Sequence, residues 1–170
     1  STRRKGLARL TRSYWGMQLA HLGLLVTVLG VAFTSTYSIE KDVRLAPGET
    51  ITVNGYAFRF DGVKDHQGPN YVAQRGTLEV SHDGFVEVLH PEKRIYRVQQ
   101  NPMTEAAISG NAFRDLYVAL GEPLDAGAWA VRIYHKPMIR WVWFGALMMA
   151  LGGLLSILDK RYRLKVAGGR

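Results

Sequence analysis

Two long apolar runs frame a stretch in which apolar and polar residues alternate. The first, Tyr14 to Thr34, is about 20 residues long and so matches a bilayer core about 30 Å thick. Tyr14 and Trp15 at one end and Tyr37 at the other suit interfacial aromatic belts. The second run, Ile139 to Leu158, opens on Trp141 and Trp143. Between them, from Ser38 to Lys136, the period drops to two. Tyr56, Phe58 and Phe60 alternate with Ala57, Arg59 and Asp61, and Trp129, Val131 and Ile133 alternate with Ala130, Arg132 and Tyr134. Asn54-Gly55 is a strong two-residue hairpin signal, because both residues accept the positive φ such turns need. His82-Asp83-Gly84 marks a second turn, and Pro47-Gly48 and Gly68-Pro69-Asn70 mark further breaks. The pattern predicts about six or seven short strands, with one helical turn or a strand over Met103–Ser109. The predicted fold is a membrane protein with two transmembrane α-helices flanking a small antiparallel β sandwich or barrel-like domain. Its parts are a basic segment 1–12, helix 13–36, β domain 37–138, helix 139–158 and basic tail 159–170.

The first apolar run has two faces. Gly16, Ala20, Gly23, Thr27 and Gly30 recur every four and three residues, and small residues in such a row let another helix approach closely. Gly145, Ala146, Gly152, Gly153 and Ser156 make the second run equally suited to tight packing. Met17, Gln18, His21, Leu24, Leu25 and Val28 lie nearly opposite the first stripe at 100° per residue. One partner helix cannot cover both faces, so further membrane helices are expected from elsewhere.

Charge gives the helices a direction. The chain has 170 residues, a net charge of +8 and no cysteine. Basic residues crowd the outer ends of the apolar runs: Arg3, Arg4, Lys5, Arg9 and Arg12 on one side, Lys160, Arg161, Arg163, Lys165 and Arg170 on the other. Lys and Arg beside a span mark the cytoplasmic side. Both termini are then expected inside and residues 38–137 outside. The alternating middle is nearly neutral, which argues against nucleic-acid binding, since that requires a basic stripe on the folded domain. Without cysteine there is no disulfide, thiolate catalysis or C-x-x-C-H haem attachment within the chain. This suits an exported domain that avoids mispairing with client thiols. The first run is too long for a secretory signal, and FTSTYSIE at its end lacks an A-x-A-like exit. The start at Ser1 is read as processing or as a fragment of something larger.

His21 is the chemical candidate. An ionisable group within a span is costly and marks function by default. From the residues alone three roles stay open: ligand to a metal or haem, proton relay, or hydrogen bond to a neighbouring helix. His66 and His82 read as solvated loop residues, His90 as a strand end before Pro91, and His135 as the end of the last strand. None has metal-ligand spacing. Glu92-Lys93-Arg94 and Arg114-Asp115 read as edge or surface ion pairs, and no catalytic acid, base or nucleophile constellation is evident.

Several blocks in order carry a resemblance: Gly16-Met17-Gln18-Leu19-Ala20-His21-Leu22-Gly23, Tyr37-Ser38-Ile39-Glu40-Lys41-Asp42-Val43-Arg44, Gly68-Pro69-Asn70, Glu92-Lys93-Arg94-Ile95-Tyr96, Met103-Thr104-Glu105-Ala106-Ala107-Ile108, Arg114 to Gly121, Ala128 to Arg132 and Met148 to Gly153. From Ser13 to Arg163 the chain resembles the C-terminal part of the CcmF family, the multi-span haem lyase subunits of bacterial cytochrome c maturation. A paralogous group dedicated to nitrite reductase maturation is similar. The resemblance implies an inner-membrane protein with residues 38–137 in the periplasm. The implied activity is to receive haem from a haem chaperone and attach it to C-x-x-C-H motifs of apocytochrome c. Implied partners are the remaining CcmF transmembrane helices and other subunits of the haem lyase complex. It also implies a structural haem b held by two membrane histidines, one of which falls on His21 as an axial iron ligand. The other ligand, a tryptophan-rich loop and two external haem-ligating histidines belong to upstream parts of the family. Two other readings stand beside this one: a membrane-anchored β adaptor with a structural His21, and a transporter accessory subunit with a proton-relay His21.

Overall fold

A computed structural model describes residues 11–98 and 100–159. Most of the basic flanks, on which the expected orientation rests, lie outside the described residues. The chain divides into two units, one built from both long helices and one from residues 36–137.

Helix α1 covers Arg12–Tyr37 and helix α2 covers Ile139–Ile157. At 1.5 Å per residue they are about 39 and 28 Å long, enough to cross a bilayer core of about 30 Å. They pack antiparallel. Only glycines are buried: Gly16, Gly23 and Gly30 on α1, and Gly145 and Gly152 on α2. A Cβ added at Gly16 would stand 2.5 Å from the Gly152 carbonyl oxygen, and one at Gly23 would stand 2.6 Å from that of Gly145. At Gly30 the nearest atom is the Val142 nitrogen at 2.8 Å. The small-residue stripe of the first helix thus meets the stripe of the second. The seven-residue step of both stripes is the spacing that keeps a left-handed helix pair in contact. Where the helices meet their ends, Asp159 accepts a hydrogen bond from the Ser13 amide, at 2.9 Å. A carboxylate there satisfies an amide at the start of α1 that has no partner within the helix and complements the helix dipole.

Among the described residues the β unit has ten strands: β1 (Ile39–Leu45), β2 (Thr50–Val53), β3 (Tyr56–Gln67), β4 (Tyr71–His82), β5 (Phe85–Leu89), β6 (Glu92–Tyr96), β7 (Pro102–Glu105), β8 (Ala107–Gly110), β9 (Arg114–Pro123) and β10 (Trp129–Pro137). One sheet has the order β1-β10-β9-β8. The other runs β2-β3-β4-β6-β7, with β5 also paired to β4. All pairings are antiparallel. The sandwich is as predicted, but its strands are more numerous than six or seven. Met103–Ser109 is extended: β7 ends one sheet, and after a single residue, Ala106, β8 begins the edge of the other.

The predicted Asn54-Gly55 hairpin forms, and the turn predicted at His82-Asp83-Gly84 forms as a second two-residue hairpin. Asn54 and Gly55 have φ of 49° and 81°, and Asp83 and Gly84 have 45° and 80°, the left-handed pair that matches strand twist. The 12-residue strands β3 and β4 stay paired along their length through one register shift between Phe60 and Gly62, where Gly62 takes a φ of 110°. Inward rows of alternate residues build the core: Phe58 and Phe60, Leu78 and Val80, Leu116, Val118 and Leu120, Trp129, Val131 and Ile133.

Candidate functional site

His21 projects from the face of α1 that α2 leaves open. It is exposed together with Met17, Leu24, Leu25 and Val28. An apolar face this wide, on a helix whose other side is closed by glycine contacts, has room for further membrane helices or a flat apolar ligand. The imidazole has a defined tautomer. Nδ1 lies 2.8 Å from the Met17 carbonyl oxygen one turn earlier. A carbonyl can only accept, so Nδ1 carries a proton, and in the neutral ring Nε2 keeps its lone pair. A ring held this way by a backbone carbonyl is the usual form of a histidine that ligates a metal. The donor suits haem iron, which commonly takes imidazole. Among the described residues no group of three or more His, Asp or Glu is arranged to hold a metal ion.

The other four histidines lie in or beside the β unit's strands. His66 is within β3, paired with Ala73, rather than in a loop. His82 ends β4, where Nδ1 donates to the Gly55 carbonyl at 2.9 Å and the ring stacks on Tyr56 at 4.2 Å. His90 follows β5, its Nδ1 3.4 Å from the Gly76 carbonyl.

His135 is only 6% exposed. Burial, and then the positive charge of Arg114, hold its pKa below the ordinary 6.5. The neutral ring accepts from the Asn54 amide, Nδ2 to Nε2 being 3.1 Å.

These groups converge for one reason. Tyr56, His82, Arg114 and His135 each end the inward row of their strand, at the same end of the sandwich. Arg114 is 9% exposed. It donates through Nε to the Tyr56 hydroxyl at 3.0 Å and through a terminal nitrogen to the Ser109 carbonyl at 2.9 Å, and its charged carbon lies 4.6 Å over the Tyr56 ring. Ser109 in turn donates to Glu87. The cluster closes one end of the apolar core and floors an open cleft of about 480 Å³ bordered by Glu87 and Asn111.

Of the residues read as edge or surface ion pairs, Glu92, Arg114 and Asp115 are buried, while Lys93 and Arg94 are half-buried. Arg114 and Asp115 point away from solvent at 9% and 6% exposure. Glu92 is 4% exposed and accepts from Arg75 at 2.5 Å and Arg94 at 2.7 Å. Burial alone would raise its pKa, but the Arg94 and Arg75 hydrogen bonds outweigh it and keep the carboxyl below its ordinary range. A run of Glu, Lys and Arg reads as an exposed face because the sequence does not show that Arg75 lies on the adjacent strand. Asp159, the first residue of the segment read as a basic tail, is likewise buried and bonded to the start of α1.

Comparison with known proteins agrees with this architecture. Residues 36–137 match the family model described as the CcmF C-terminal beta-sandwich. The chain is 58% identical over 170 residues to the cytochrome c-type biogenesis protein CcmF of Pseudomonas aeruginosa, covering 97% of this chain and 26% of that protein. It is 53% identical over 160 residues to CcmF of Escherichia coli, covering 94% of this chain and 25% of that one. It is 34% identical over 151 residues to NrfE of Haemophilus influenzae, covering 88% of this chain and 24% of the relative. The chain thus spans about a quarter of the length of the curated relatives it matches. A solved structure described as cytochrome c heme lyase CcmF shares the fold, with a TM-score of 0.74 and 23% identity over 92% of this chain and 27% of that one. On the family-model match and the identity to these relatives, this chain belongs to the CcmF family, with residues 36–137 as its C-terminal beta-sandwich.

Proposed function

We propose that the chain is part of a cytochrome c haem lyase, the assembly that takes haem from a haem chaperone and attaches it to C-x-x-C-H motifs of apocytochrome c. Its place is the bacterial inner membrane, with α1 and α2 spanning, both termini cytoplasmic and residues 38–137 periplasmic. Within the assembly this chain supplies His21 as one axial ligand of a haem b. The second ligand comes from transmembrane helices outside this sequence, and the β unit is a scaffold for partners, among them other subunits of the lyase complex.

The observation that carries this reading is the tautomer on an open face. Met17 holds the Nδ1 proton of His21, and Nε2 points its lone pair away from that bond while α2 occupies the opposite side. Bound haem would supply one-electron chemistry. The chain's own part is to fix the ring, since removing the Nδ1–H contact frees χ2 and the tautomer together. A proton relay would need a second titratable group within reach of Nε2, and α1 carries none between Tyr14 and Phe33 apart from His21, so that group too would come from helices outside this sequence.

The test is the absorption spectrum of the complete purified assembly. His21→Ala is expected to abolish or strongly diminish the b-type haem bands at unchanged protein level, with recovery on adding imidazole. Full retention of those bands in His21→Ala would remove the ligand role and leave the adaptor reading.

A further inference from the structure

We propose that the end of the β unit where its chain enters and leaves is seated in a phospholipid interface, with Phe85 and Phe113 as apolar anchors. The proposal deepens the membrane placement given above and rests on it. Residues 36–137 contain four phenylalanines. Phe58 and Phe60 are fully buried in the core, whereas Phe85 is 50% and Phe113 is 64% exposed. A single apolar side chain on a surface is ordinary. Here both of the rings that the core leaves out stand at the same end of the sandwich.

Register places them there. The β unit begins at Ile39, whose partner is His135, and single residues, Ser38 and Met138, join it to α1 and α2. Arg114 pairs with Pro137, the last residue of β10. Phe113 therefore lies one residue beyond the final ladder pair, as Met138 does on the other strand. The Asp83-Gly84 turn reaches the same end, since the His82 ring stacks on Tyr56 and Tyr56 lies 5.9 Å from the His135 ring. Phe85 follows that turn as the partner of His82, and Val86 after it is 59% exposed. Each link to a helix covers two Cα steps, at most about 7 Å. Joined so closely to two spanning helices, this end cannot stand far from the bilayer surface.

The turn that carries Phe113 is preset. Asn111 Oδ1 accepts from the Phe113 and Arg114 amides at 2.9 and 3.0 Å, and the Asn111 amide donates to the Arg114 carbonyl at 2.9 Å. The Arg114 side chain is held beneath by Tyr56 and Ser109. The backbone is thus ordered before any lipid arrives, which lowers the entropy lost on seating the ring. Apolar and aromatic side chains of interfacial segments reach about 5–10 Å into the boundary between headgroups and acyl chains. Charge at this end has both signs, with Asp83, Glu87 and Asp115 against Arg114 and Lys136. No strong field therefore selects a charged partner, and the rings carry the contact. The haem ligand assigned to His21 plays no part in it.

The test places photoreactive p-benzoylphenylalanine at position 113, and in a second variant at 85, of the complete assembly in phosphatidylcholine–phosphatidylglycerol nanodiscs. A third variant carries it at Val98, which is 94% exposed and lies just past Tyr96. Tyr96 pairs with Tyr71, at the far end of the 12-residue β4 from His82, so Val98 reports on the opposite end of the sandwich. After illumination, mass spectrometry identifies what each site has captured. Phospholipid adducts are expected at 113 and 85, with their loss at 98. Peptide adducts alone at 113 and 85, from another part of the assembly or from a second copy of this chain, would overturn the proposal. Equal lipid capture at 98, or no capture at 113 and 85, would do the same. Washing the membranes with alkaline carbonate separates the two levels of the reading. Release of the chain would overturn the membrane placement and the inference together, and retention without lipid capture would overturn the inference alone.

Discussion

Replacing Gly23 by Ala adds one methyl group at a close backbone contact of the helix pair. Its Cβ would lie 2.6 Å from the Gly145 oxygen and 2.8 Å from the Met149 nitrogen, where ordinary contact begins at 3.4 Å. Both neighbours are backbone, so no rotamer relieves the overlap. The helices must part locally by about 0.8 Å, and a gap of that size forfeits about a quarter to a half of the dispersion energy of each atom pair across the seam. Overpacking of this kind costs ~1–3 kcal/mol. A bilayer offers no hydrophobic effect between helices to offset it. Opposing it is the better helix propensity of alanine, up to ~1 kcal/mol. We expect a net loss of about 1–2 kcal/mol. Gly153→Ala is the control, because nothing lies within 4 Å of its added Cβ, and there only the propensity gain remains. The chain has no cysteine of its own, so dyes on one introduced cysteine per helix report separation of α1 from α2 during detergent titration. Coincident midpoints for Gly23→Ala and Gly153→Ala would refute the packing argument.

Other outcomes follow from the buried polar groups and are read by hydrogen exchange in β9 and β10 of the full chain. Arg114→Met leaves the Ser109 carbonyl and the Tyr56 hydroxyl without their donor, and should destabilise the β unit by about 3 kcal/mol. His135 has a lowered pKa, so the unfolded chain takes up its proton first. Stability should therefore fall as pH drops below 6.5 and level off once the folded form is also protonated, and His135→Asn should flatten that part of the profile. Glu92 acts in a lower window. Its depressed pKa contributes stability above the ordinary glutamate value of 4.5, lost as pH falls further, and Glu92→Gln should remove this second slope. Asp159→Ala should loosen the start of α1 by ~1 kcal/mol, seen as faster exchange at the Ser13 amide.

Local pattern carried much of this fold. The two spans and the glycine stripe were legible because both are periodic within one element, and the hairpins at Asn54-Gly55 and Asp83-Gly84 because turn chemistry is local. The strand count was less so. β7 and β8 are four residues each and change sheets across Ala106, and nothing in Met103–Ser109 distinguishes that from a helical turn. The buried polar cluster left a signal that a residue-by-residue reading overlooked. His135 continues the inward row of Trp129, Val131 and Ile133, and Arg114 begins the row of Leu116, Val118 and Leu120, so each had to face the core. Glu92 left no such trace, since its partners Arg75 and Arg94 become a pair only when β4 and β6 align. For His21, depth in the span and the face were readable. The tautomer was not, because it depends on the ring's rotation toward Met17.

The pairing of β1 with β10 has a consequence for how such a protein can be assembled or altered. Ile39 and His135 are register partners, so the β unit begins and ends at neighbouring points. A module whose two ends meet can be inserted into, exchanged within or removed from a helical hairpin with little change in the span its connection must cover. The β1–β10 ladder is thus a natural cassette boundary. Grafting another sandwich with paired terminal strands between Tyr37 and Ile139 should leave the glycine seam of the helices intact, so the β unit is open to diversification independently of the helical one.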